Sequence, residues 1–148
     1  MGDKVLLITK CMVNVMFWCG VPMTISIPWV FKWYGAIDSF FETNYVRESV
    51  LYMISGLFAC LIVYELRKMI RSVELDDCFI WGNVVSLKRM AIYAFAIALV
   101  TIVRIITHWT PAVVIILIVF AIAGMFSEVL ASVFAKAVEY KEENDMTI

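Results

Sequence analysis

From Pro111 to Ser127 the chain runs for 17 residues without a charge, a length that suits the hydrocarbon of a bilayer. The run then changes character once. Glu128, Lys136, Glu139, Lys141, Glu142, Glu143 and Asp145 follow in quick succession, while Val129, Phe134, Ala135 and Val138 keep apolar residues at helical spacing. One helix is therefore expected to leave a membrane and continue into water. Everything upstream must deliver that charged end to one particular side.

The rest of the composition agrees. Of 148 residues, 64% are hydrophobic and 17% charged, with a mean hydropathy of +0.92. A soluble domain carries about 25% charge and roughly 45–50% apolar residues, and one core of this size cannot hide the difference. A net charge of −1 provides no basic field to draw in nucleic acid, so no direct nucleic-acid partner is expected. Cys11, Cys19, Cys60 and Cys78 form no CxxC and read as small hydrophobes. One histidine, His108, and six dispersed glycines assemble no catalytic set, metal cluster or phosphate-cradling loop, so the chain is read as a non-enzyme without a cofactor. Leu6 stands where a myristoylation signal needs Ser or Thr. No signal-peptidase site closes the first apolar run, which is expected to remain as an anchor.

Four spans are expected, at about residues 5–30, 47–66, 90–109 and 111–135, forming one membrane domain. In the first, Pro22 removes a backbone donor and predicts a kink, Pro28 predicts a frayed outer end, and Asn14 reads as an interhelical hydrogen bonder. Residues 29–47 are rich in Trp, Tyr and Phe, as an interfacial belt is; alternatively, with Asp38 and Glu42 supplying charge among the rings, they form an outer docking surface for a peptide or lipid. Ser55 and Gly56 in the second span, and Gly124 in the fourth, predict close helix approach. In the third span Arg104 follows 14 uncharged residues. It is expected to snorkel outward or to fasten the outer loop through Asp38 or Glu42.

Residues 65–89 form the main polar connection, with Arg67, Lys68, Arg71, Lys88 and Arg89 facing Glu65, Glu74, Asp76 and Asp77. Inside it Phe79, Ile80, Trp81, Val84, Val85 and Leu87 predict a short interfacial helix, with Asn83 stabilising its elbow. Lys4, those five basic residues, Lys136 and Lys141 fall on one side, against Lys32, Arg47 and Arg104 on the other. The excess puts both termini, the connection and the tail 136–148 in the cytoplasm. The fold class is thus all-α, an integral four-helix bundle of a bacterial inner or plasma membrane.

Lys10 and Glu128 are the two charges expected to reach into the inner leaflet at similar depth, and opposite charges there gain by pairing. As structure, the pair would set the register of the first and fourth spans; as function, Glu128 would carry protons. Only neutral groups such as Asn14, Ser55 and Thr101 continue through mid-depth, which counts against pumping.

Glu65-Leu66-Arg67-Lys68-Met69-Ile70, then Phe79, Asn83 and Leu87-Lys88-Arg89-Met90, then Val133-Phe134 through Val138-Glu139-Tyr140-Lys141 to Glu142-Glu143-Asn144-Asp145-Met146-Thr147-Ile148 carry a resemblance. Over about residues 60–148 the chain resembles a bacterial family of small four-span membrane proteins, domain-of-unknown-function family 2975. Its typical ending reads keENDLTI, with Met146 here in place of leucine, and Cys78 stands where the pattern often has proline. Members look like frequent genomic neighbours of a small Cro-like helix-turn-helix regulator, so the resemblance implies a membrane protein that controls a transcription factor.

The tail has a plain reading as a solvated helix end, with Lys136–Glu139 and Lys141–Asp145 at pair spacing. Its acids and terminal apolar residues also suit a docking surface. Glu139, Glu142, Glu143, Asn144 and Asp145 would face a basic DNA-reading domain, and Met146 and Ile148 would anchor it. Alternatively the tail folds back onto Arg67, Lys68 and Arg71. The expected function is regulation of a small cytosolic helix-turn-helix protein by sequestration or signalling at the membrane. The alternative is a small transporter or immunity protein handling a peptide or lipid.

Overall fold

The computed structural model describes residues 2–146, apart from the side chains of Phe40 and Phe41. Helices α1 (Asp3–Gly35), α2 (Ser39–Thr43), α3 (Tyr45–Glu74), α4 (Trp81–Thr107) and α5 (Pro111–Met146) follow one another, and there is no strand among the described residues. The four helices other than α2 are each long and apolar enough to cross a membrane. With 27 to 36 residues apiece they exceed the roughly 20 residues that one crossing needs. Turns of helix are thus left over to carry polar side chains at the ends.

Helix α4 holds the molecule together. Val84, Leu87, Ala91, Ala94, Ile97, Ala98, Thr101 and Arg104 are all buried, and steps of three and four residues keep them on one stripe. The opposing stripe on α5 is Val113, Gly124, Ala131 and Val138, in which the last three recur every seven residues. Such spacing is that of helices crossing at a shallow angle. Small residues dominate the seam because between lipid-facing helices close backbone approach and dispersion must do what the hydrophobic effect does in water. A Cβ added at Gly124 would fall 2.8 Å from the Phe95 ring, so the fourth span does use its glycine to approach a neighbour.

Packing is serial. Helix α1 lies on α3, α3 on α4 and α4 on α5, while α1 and α5 share no contact among the described residues. Short connections make sequence neighbours antiparallel and adjacent. At the first connection Ile37 and Asp38 donate their N–H groups to the Tyr34 carbonyl. At the last, the Thr110 hydroxyl accepts the Val113 N–H at 3.3 Å, and Pro111 opens α5, where a missing donor costs nothing.

Three boundaries differ from expectation. Helix α1 continues through Pro22 and Pro28 to Gly35, absorbing much of the aromatic belt; Trp29 and Trp33, one turn apart, are 68% and 69% exposed. Helix α3 runs on to Glu74, so most of the polar connection is helix. There is also no separate interfacial helix, because α4 is continuous from Trp81. Val84 and Leu87 already belong to its buried stripe, and a bend before Met90 would break that stripe. Only Leu75 to Ile80 connect the two helices.

Candidate functional site

The polar ends of α1, α3, α4 and α5 lie at one end of the molecule, where polar contacts join α1 to α3, α3 to α4 and α4 to α5 among the described residues. Asp76, at φ 57°, turns the chain out of α3. The Asp76 N–H reaches the Val73 carbonyl and the Asp77 N–H the Ser72 carbonyl, each at 3.1 Å, which is the Schellman pattern. Asn83, 3% exposed, secures this turn: its amide nitrogen donates to Ser72 Oγ at 2.6 Å and to the Cys78 carbonyl at 2.7 Å. Asn83 thus stabilises the α3–α4 connection from inside α4, not the expected elbow before Met90, which the continuous α4 removes.

Against this connection lies the tail. Lys141 Nζ donates to Asp77 Oδ1 at 2.6 Å, Trp81 Nε1 donates to Glu142 Oε1 at 2.8 Å, and the Phe79 and Phe134 rings meet edge-on at 5.5 Å. The hydrogen bond to Asp77 raises the Lys141 pKa above its ordinary 10.5, and Asp145 adds to the effect. The tail thus continues α5 as helix and meets Asp77 and Trp81 alongside it, rather than folding back onto Arg67, Lys68 and Arg71. Glu139, Glu143, Asn144 and Asp145 stay exposed, and Met146 is 86% exposed. Ile148 lies outside the described residues.

Between α3 and α4, Glu65 is 3% exposed, with Lys68 Nζ at 3.5 Å and Arg89 Nη1 at 3.6 Å. Between α1 and α3, Arg67 Nε donates to Asn14 Oδ1 at 2.8 Å, so Asn14 does bond between helices. The Arg67 guanidinium also lies 4.6 Å from the Phe17 ring centre. Beside them Lys10 Nζ meets Glu74 Oε1 at 2.8 Å.

That last contact corrects the expected Lys10–Glu128 pair. Equal depth does not make lateral neighbours. Two helices, α3 and α4, stand between α1 and α5, and Glu128 is exposed on α5. Arg104 is corrected too. It is 7% exposed, donates from Nη2 to the Tyr52 hydroxyl and lies 3.7 Å from the centre of that ring. No ion pair joins it to Asp38 or Glu42 among the described residues. An arginine on the packed face of α4 is closer to α3 than to the outer loop, and the phenol gives it both a π-face and an acceptor. Buried Glu48, 3.3 Å from Arg47 Nη2, is on α3 one turn before Tyr52. Sequence reasoning passed over Glu48 and Tyr52, whose only signal was polarity within an otherwise apolar helix, whereas Glu65 was read among the acids facing Lys68 and Arg89, the two cations it meets.

These features define a class: an all-helical membrane protein whose polar contacts are concentrated at the helix ends. Within that class, the chain belongs to the family described as protein of unknown function (DUF2975), whose model matches residues 11–148. The match takes in α1 from Cys11 onward and the first connection, beyond the reach of the resemblance drawn from the later half. No curated protein and no solved structure matches.

Proposed function

We propose that this protein is a non-enzymatic, multi-pass regulator in a bacterial inner membrane, with both termini in the cytosol. Its tail docks a small helix-turn-helix transcription regulator and holds it at the bilayer. The orientation rests on the excess of Lys and Arg around the polar end, and the kind of partner on the family resemblance. One observation carries the docking role. Beyond the buried Val138, Lys141 and Glu142 tie the tail to Asp77 and Trp81, and Glu139, Glu143 and Asp145 are exposed. The Lys141–Asp77 pair is exposed and holds the tail weakly, and a basic surface can take Glu142 from Trp81. A partner bound there would compete with Trp81 for Glu142, which gives the bundle a means of controlling its release.

A photoreactive residue replacing Tyr140, which is 70% exposed, tests this in native membranes. The expected product is a crosslink to a small DNA-binding protein, lost when Glu142 to Ile148 are deleted, with a matching change in reporter transcription. Crosslinks confined to this chain's own residues 65–89, or reporter output indifferent to the deletion, would make the tail a structural clasp only.

A further inference from the structure

Between α1 and α3, at the same polar end, lies a cleft of about 480 Å³ lined by Lys10, Asn14, Arg67, Lys68, Arg71 and Glu74 among others. Two helices supply facing pairs at one-turn spacing, Lys10 with Asn14 and Arg67 with Arg71. Four cations thus stand against one carboxylate, in a molecule whose net charge is −1. Two of the four are tied: Lys10 to Glu74 at 2.8 Å and Lys68 to Glu65 at 3.5 Å. Arg67 commits only its Nε, to Asn14. The exposed Arg71 side chain has no hydrogen bond or ion pair among the described residues.

We infer that this cleft binds a phosphate group, supplied in the bilayer by the headgroup of an anionic phospholipid. Guanidinium groups match phosphate oxygens with paired donors, and basic pockets between spanning helices at a membrane face are suited to such headgroups. The surroundings favour a lipid over a soluble phosphate. Tyr64, a lining residue 46% exposed, and Trp18, 68% exposed, lie toward the apolar length of the helices, where acyl chains would run. The Lys10–Glu74 bridge sits across the same cleft, so a bound phosphate would share Lys10 with that carboxylate. The site is distinct from the tail and does not depend on what docks there.

The test reconstitutes the full chain in nanodiscs of phosphatidylcholine alone or with phosphatidylglycerol, extracts it gently and counts retained lipid by native mass spectrometry. Phosphatidylglycerol is expected above its share of the bilayer. Arg71→Gln should lower its apparent affinity about fivefold, the effect of one cation near a membrane surface, with Arg71→Lys recovering most of it. Lys136→Gln, which removes an exposed charge outside the cleft, should change nothing. Inorganic phosphate that stabilises the wild type in phosphatidylcholine discs, but not Arg71→Gln, would keep the phosphate site and make its ligand soluble. Helicity by circular dichroism shows that each variant is folded. No enrichment together with no phosphate effect, or equal enrichment in folded Arg71→Gln, overturns the inference.

Discussion

Asp76 takes a left-handed conformation, at φ 57°, to end α3. An L-residue with a Cβ is disfavoured there by roughly 1–2 kcal/mol, less for Asp than for most, and glycine is not. Asp76→Gly is therefore expected to raise stability by about 0.5–1 kcal/mol, read as a higher unfolding temperature in detergent. Asn83 acts in the other direction. Asn83→Leu would remove two hydrogen bonds and leave the Cys78 carbonyl without its side-chain donor. A loss of about 1–3 kcal/mol follows from the lost bonds and the half-buried acceptor left unmet, and unchanged thermal unfolding would show that water replaces the amide. Asn14 and Asn83 were legible as bonding residues because a polar amide among apolar neighbours needs a partner. Which partner each one takes was not legible, since Arg67 lies 53 positions from Asn14 and only packing brings them together.

At the scale of elements, α1 is held through α3, and Gly56 is a point of close approach in that contact. A Cβ there would be 2.8 Å from Thr24 Oγ1 and 3.3 Å from its Cβ, so the helices must part to admit one. Gly56→Val should cost about 1–3 kcal/mol by overpacking and lower the yield of crosslinks between cysteines placed across α1 and α3. The tail gives a pH-dependent expectation. Because Asp77 raises the Lys141 pKa above 10.5, the folded form favours the charged amine. Its contribution is complete below the ordinary value and is lost as pH rises through the raised one. A spin label at position 140, in a chain whose other cysteines are replaced, should gain mobility only above about pH 10.5. Mobility that already rises between pH 7 and 9 would show that the Lys141–Asp77 contact is not what holds the tail.

For the whole molecule, four serial crossings place both termini on one side and the first and last connections on the other. Reporter fusions after Lys4, Asp77 and Lys136 should share one location, and fusions near Asp38 and Trp109 the opposite one. Fusions at Asp77 and Asp38 that report the same side would remove α3 as a crossing. Serial packing also leaves α1 with one long neighbour, α3, so α1 is the span whose separation should leave the α4–α5 seam intact. Limited proteolysis of Gly56→Val should then release α1 while a fragment containing α4 and α5 persists.

The helical class and the four apolar lengths were decided by local chemistry. A bilayer cannot satisfy open backbone groups, so long uncharged runs must become helices wherever they lie, and the close approach of Gly56 and Gly124 follows from the lack of a side chain. Boundaries were less legible: Asp76 turns the chain out of α3 where a glycine would have signalled the stop, and Ile80, just before α4 opens at Trp81, supplies no side-chain cap. The pairings needed the fold itself. Depth along a helix can be counted from sequence, but lateral neighbours depend on the order in which helices pack. That order joins Lys10 to Glu74, gives Arg104 to Tyr52 and clasps the tail to Asp77 and Trp81, because a charge in low dielectric is stabilised by whichever partner packing brings within reach.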